Sequence, residues 1–139
     1  MSWGIAGFLS AVFAALVAVL GKIGLKEVDS TLATTVRAVI MATFLLLMSL
    51  FLGKLKGIET LSGKPLLFIA LSGVAGAISW LFYFYALRTG PAGAVSALDR
   101  LSIVFVVIFA AIFLAEGLTW KSVSGSVLVA LGAYLITLK

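Results

Sequence analysis

Five long apolar runs fill this chain, and their interiors carry almost no charge apart from Arg37 and the adjacent pair Asp99-Arg100. That pattern restricts the fold more than any motif does. A helix rises 1.5 Å per residue, so about 20 apolar residues cross a hydrocarbon layer roughly 30 Å thick. On that ruler the expected spans are Trp3–Gly24, Thr31–Leu52, Pro65–Leu87, Pro91–Ala115 and Ser122–Leu138. The predicted fold is an all-α integral membrane protein with five transmembrane helices, forming a single domain over residues 1–139.

The composition agrees. Hydrophobic residues make up 63% of the chain and charged residues 11%, against roughly 45–50% and about 25% in soluble domains. The net charge of +5 would suggest nucleic acid in a soluble protein. Here the Lys and Arg residues mostly flank the apolar runs, so the partner they indicate is the lipid bilayer, not nucleic acid. Cys and His are absent, which removes disulfides, thiolate chemistry and the commonest metal ligand. Nothing resembles a phosphate-binding loop, a nucleophile with its base, or a metal cluster; the sequence points away from an enzyme and calls for no cofactor. Trp3–Leu20 is long for the apolar region of a signal peptide and reads as a retained first span.

The breaks carry turn and cap residues. Lys26-Glu27-Val28-Asp29-Ser30 supplies an N-cap, Gly53–Lys64 is the longest polar connection, Thr89-Gly90-Pro91 is a turn before a helix-starting proline, and Glu116-Gly117 closes the fourth span. Five spans put the ends of the chain on opposite faces. Lys54, Lys56, Lys64 and Lys121 then lie on one face, and Lys22, Lys26, Arg88 and Lys139 on the other. This balance hardly chooses an orientation under the positive-inside rule. Either one orientation wins through finer detail, or the chain inserts both ways and pairs as an antiparallel dimer.

The intramembrane charges are where function is expected. Ala38–Leu52 and Leu101–Leu114 give only about 22 and 21 Å of helix. Both fall short of the apolar layer, so Arg37, Asp99 and Arg100 are expected inside it. An Arg or Asp at a helix centre costs about 2.5–3.5 kcal/mol, while each Leu, Ile, Phe or Val returns roughly 0.3–0.6. Insertion is feasible, but the charges need partners. The second and fourth spans start from the same face, which makes an Arg37–Asp99 ion pair geometrically feasible and leaves Arg100 as surplus positive charge. Neighbouring helix residues project about 100° apart, so Asp99 and Arg100 are not expected to satisfy each other. The functional reading is a positively biased cavity for a substrate carboxylate or phosphate. The plain alternative is that Arg100 snorkels to headgroups and Asp99 staples helices.

Trp80, Tyr83, Phe84 and Leu87 share one helix stripe. Tyr83 and Tyr85 suit an interfacial aromatic belt, whereas Trp80 lies about two turns deeper and suits a cavity wall for organic or cationic groups. Trp3 and Trp120 read as anchors. Ser122, Ser126, Ala130 and Ala133 form a small-residue stripe, with Gly125 and Gly132 beside it and Gly73 and Gly76 in the third span, suited to close packing within one chain or between two. Glu116 is either a loop residue touching Lys121 or, with Asp99, a proton-coupling carboxylate.

The stretch Ala86-Leu-Arg-Thr-Gly-Pro-Ala-Gly-Ala-Val-Ser-Ala-Leu-Asp-Arg-Leu-Ser102, followed by Ile103–Leu114, Ala115-Glu116 and Leu118-Thr119-Trp120, resembles the EamA domain of the drug/metabolite transporter superfamily. The likeness extends more loosely over the whole chain, including Ser79-Trp80-Leu-Phe-Tyr-Phe. Tyr85 departs from the basic residue frequent there in relatives, so no anion-binding role carries over to it. The resemblance implies one half of an inverted-repeat transporter, completed by a second copy as a homodimer. It further implies secondary transport of a small organic metabolite or drug by alternating access, in a prokaryotic inner or plasma membrane. Arg37, Trp80, Tyr83, Asp99 and Arg100 are the residues expected on the substrate path. The rival class is a non-transporting membrane subunit or scaffold that modifies another complex.

Overall fold

In the computed structural model, which describes residues 2–138, the chain is helical and contains no strand among the described residues. The order is α1 Trp3–Gly24, α2 Ser30–Phe51, a 3-10 helix Lys54–Thr60, α3 Gly63–Thr89, α4 Ala92–Asp99, α5 Ser102–Phe113 and α6 Trp120–Thr137. With α4 and α5 counted as one segment, Ala92–Phe113, five helices are long and apolar enough to cross a membrane. Large side chains such as Phe44, Phe82 and Phe113 stand exposed along the spans, as a lipid-facing surface requires. The most buried positions include the small Ala18, Ala97, Ser126 and Ala133; small residues let helices approach where apolar area alone gives no preference for protein over lipid.

Cap chemistry fixes the boundaries. The Asp29 carboxylate accepts the backbone N–H groups of Thr31 at 2.9 Å and Leu32 at 3.1 Å, which satisfies two of the four orphan donors at the start of α2. Thr119 and Ser122 form a reciprocal capping box at the start of α6. Pro91 caps α4 from outside, with extended backbone, and the helix proper starts at Ala92, one residue later than expected. Gly53 and Gly63 bound the polar connection at φ 65° and 63°, values that glycine reaches without steric cost. The 3-10 turn between them was not anticipated. The fourth span closes earlier than expected, at Phe113; Ala115 turns the chain at φ 55°, and the Glu116 N–H reaches back to the Ala110 carbonyl at 3.2 Å.

The contacts fall into two compact units, residues 1–22 with 89–139, and residues 23–88. In the first, α6 packs on both α4 and α5, and its buried Ser126 and Ala133 put the small-residue stripe on the inward face. Lys22 Nζ donates to the Gly90 carbonyl at 2.8 Å, which ties the end of α1 to the turn before α4. In the second unit, Arg88 at the end of α3 lies 3.6 Å from Asp29 at the head of α2. Gly73, Gly76, Gly125 and Gly132 have open space where a Cβ would stand, so none marks a close helix approach within this chain.

Candidate functional site

Unit 23–88 holds the more distinctive arrangement. Arg37 follows the first residue of α2 by seven positions, and Trp80 precedes the last residue of α3 by nine, depths of about 10 and 13 Å along the two helices. The helices are joined so that these ends lie together, which Asp29–Arg88 marks. The residues therefore meet: the Arg37 guanidinium carbon lies 3.7 Å from the centre of the Trp80 ring and 5.5 Å from that of Phe84. Both distances are within the roughly 6 Å reach of a cation–π contact, worth about 0.5–2 kcal/mol according to desolvation.

The predicted stripe is what positions the rings. Trp80 and Tyr83 contact edge-to-face with centroids 5.4 Å apart, and Trp80 and Phe84 lie 5.8 Å apart. Phe84 and Leu87 are buried, whereas Phe82 and Tyr85 on the other side are exposed. Tyr83 thus braces Trp80. Phe84, on the expected stripe at i+4 from Trp80, adds a second ring beside Arg37, a contact that the stripe alone does not predict.

Arg37 and Trp80 line a cavity of about 520 Å³ between α2 and α3, within the range of about 300–1,000 Å³ usual for small-molecule sites. Its walls are mainly apolar, with Met41, Gly73, Gly76 and Leu81 among them. Thr34 and Thr35 also line it. Their hydroxyls donate to the carbonyls of Ser30 at 2.7 Å and Thr31 at 2.9 Å, which leaves only lone pairs toward the cavity. No carboxylate of this unit pairs with Arg37 among the described residues: Glu27, Asp29 and Glu59 all lie outside the spans. Of the glycines expected to form packing surfaces, Gly73 and Gly76 line this cavity. The Arg37 guanidinium covers one face of Trp80, and Trp80 lines the cavity as expected of a wall residue.

Unit 1–22 with 89–139 carries the other charges. Asp99 ends α4, seven residues past its start. The chain then tightens into i→i−3 bonds, Leu101 N–H to Leu98 at 3.0 Å and Ile103 N–H to Arg100 at 3.1 Å, before α5 resumes. Arg100 and Asp99 approach to 4.0 Å, with both side chains more than a third exposed. This corrects the expectation that they could not meet. That expectation assumed a continuous α-helix, and the α-helix ends at Asp99. Arg100 borders a second cavity of about 610 Å³, lined by α1, α4, α5 and α6, with Ala15, Ser96 and Ala97 among its walls.

Glu116 is exposed in the loop after α5 and makes no ion pair with Lys121 among the described residues. Trp3 and Trp120 are exposed at span ends, as anchors should be. Outside the spans, the Asp29 carboxyl is held below its ordinary pKa, first by the Leu32 N–H and, against a smaller desolvation, by the Thr31 N–H and Arg88.

A polytopic helical membrane protein with an arginine set on an aromatic wall is the class that these features define. The chain belongs to the EamA-like transporter family, whose model matches residues 1–138. It is 41% identical over 135 residues to a protein of Sinorhizobium sp named as an uncharacterized transporter in the cobO 3' region, with 97% of this chain and 96% of that protein covered. No solved structure matches it. The protein is accordingly a membrane transporter.

Proposed function

We propose that the protein is a secondary transporter that moves a small organic metabolite by alternating access, with the α2–α3 cavity on its path. The observation that carries this reading is the Arg37 guanidinium held over Trp80 on the wall of a 520 Å³ cavity. A charge at that depth is expensive and is kept where it contacts solute or a partner. A second copy in antiparallel orientation completes the transporter. The four-against-four balance of flanking Lys and Arg supports dual insertion. Given that bacterial relative, the membrane is the prokaryotic plasma or inner membrane. Where transport is proton-coupled, Asp99 within the fourth span serves better than the exposed loop residue Glu116; uptake indifferent to an imposed pH gradient removes this role.

The purified protein in liposomes tests the reading with a panel of radiolabelled small metabolites. Saturable uptake, strongly reduced by Arg37→Gln, is expected. Uptake that appears only when another membrane protein is added would establish the subunit reading instead.

A further inference from the structure

The donor and acceptor inventory of the α2–α3 cavity narrows what it can hold. Two side chains on its wall carry N–H donors without a protein hydrogen bond among the described residues: the Arg37 guanidinium and the Trp80 indole. The hydroxyl protons of Thr34 and Thr35 are spent on helix carbonyls. The remainder of the wall is apolar, including Met41, Leu45 and Leu81. A guanidinium offers five N–H groups in a planar fork matched to a carboxylate, and its positive charge repels an ammonium. Because Trp80 covers one face of that fork, an anion must approach along the edge, where the N–H bonds point.

We propose that this cavity selects organic monoanions, with one carboxylate held on the edge of Arg37 and an apolar body lying between α2 and α3 along Met41, Leu45 and Leu81. Beyond Arg37 the wall offers only the single neutral N–H of Trp80, which cannot balance the charge of a second anionic group, and a neutral amphiphile would leave the guanidinium without a counter-charge. Phe84 is a positioning residue, flanking the guanidinium without lining the cavity, whereas Trp80 both supports the guanidinium and walls the cavity. The assignment deepens the transporter reading and rests on it for the cavity's use.

Equilibrium binding separates the two ideas. In nanodiscs of zwitterionic lipid, the full chain carrying Trp3→Phe and Trp120→Phe keeps Trp80 as its one tryptophan. Its emission is titrated with hexanoate, hexylammonium and hexanol. Hexanoate should bind saturably and at least tenfold more tightly than either analogue. Arg37→Gln should weaken it tenfold or more, and Arg37→Lys should retain part of the preference. Hexanol binding as tightly as hexanoate, preference for hexylammonium, absence of saturable hexanoate binding, or indifference to Arg37→Gln each overturns the monoanion assignment. Hexanoate binding with these properties but without flux in liposomes upholds it and overturns only the transporter reading.

Discussion

Arg37 and Arg100 belong to two different helical segments long and apolar enough to cross a membrane, and the chain treats them differently. In unit 23–88, Arg37 lies 3.7 Å over the Trp80 ring and no carboxylate of that unit neutralises it. In the unit of residues 1–22 and 89–139, Arg100 lies 4.0 Å from Asp99 at a break between two helices. An aromatic face stabilises a cation without cancelling its charge. A carboxylate cancels it. Arg37 therefore has an aromatic face and no carboxylate of its unit beside it, whereas Arg100 has a carboxylate at the outer limit of an ion pair, where the helix geometry changes. Short 3-10 stretches within helices often mark hinges; Asp99–Arg100 stands at such a tightened turn between α4 and α5, whereas Arg37 stands within the uninterrupted α2.

The largest effect that would break this division is expected at Arg37. Arg37→Gln removes hydrogen bonds from a charged donor, worth about 1.5–3 kcal/mol, so uptake into liposomes should fall roughly 10–150-fold while membrane expression is unchanged. Trp80→Leu leaves the charge but removes its support; a loss of about 0.5–2 kcal/mol should appear as a higher half-saturation concentration, about 2–30-fold. The Asp99–Arg100 pair should matter less to stability. Its side chains are 37% and 49% exposed, and a double-mutant cycle with Asp99→Asn and Arg100→Gln should return a coupling of about 0.2–1 kcal/mol.

The smallest effect concerns the cap that sets Arg37's depth. Asp29 has a depressed pKa, so its charge contributes stability above the unfolded-state carboxylate pKa of about 3.9, and that contribution disappears as pH falls through the lower folded value. Asp29→Asn should therefore lower Tm slightly at neutral pH. The gap from wild type should close under acid titration; a gap that widens on acidification would show that the cap charge does not act this way.

Much of this contrast was legible in the amino-acid order. The spans followed from run length and caps; α1 matches residue for residue, and α2 starts one residue before the expected Thr31, capped by Asp29 from the expected cap segment. The Trp80 stripe was legible from spacing alone. The contact of Trp80 with Arg37 was not read, although counting residues from the common end of α2 and α3 would have brought them to similar depth. The break after Asp99 had no signal: Leu98-Asp99-Arg100-Leu101 contains neither proline nor glycine, and nothing in its periodicity separates a continuous helix from an interrupted one. Glycines gave the opposite difficulty. Gly73 and Gly76 fit a packing surface by composition, but open space beside them makes them the wall of a cavity.

The most direct test of the central claim asks whether Arg37 and Trp80 act as one element. Uptake is measured for Arg37→Gln, Trp80→Leu and the double variant. If the indole works only by presenting the guanidinium, the double variant should transport no worse than Arg37→Gln alone, within about a factor of two. Losses that multiply, as for independent sites, would contradict the account.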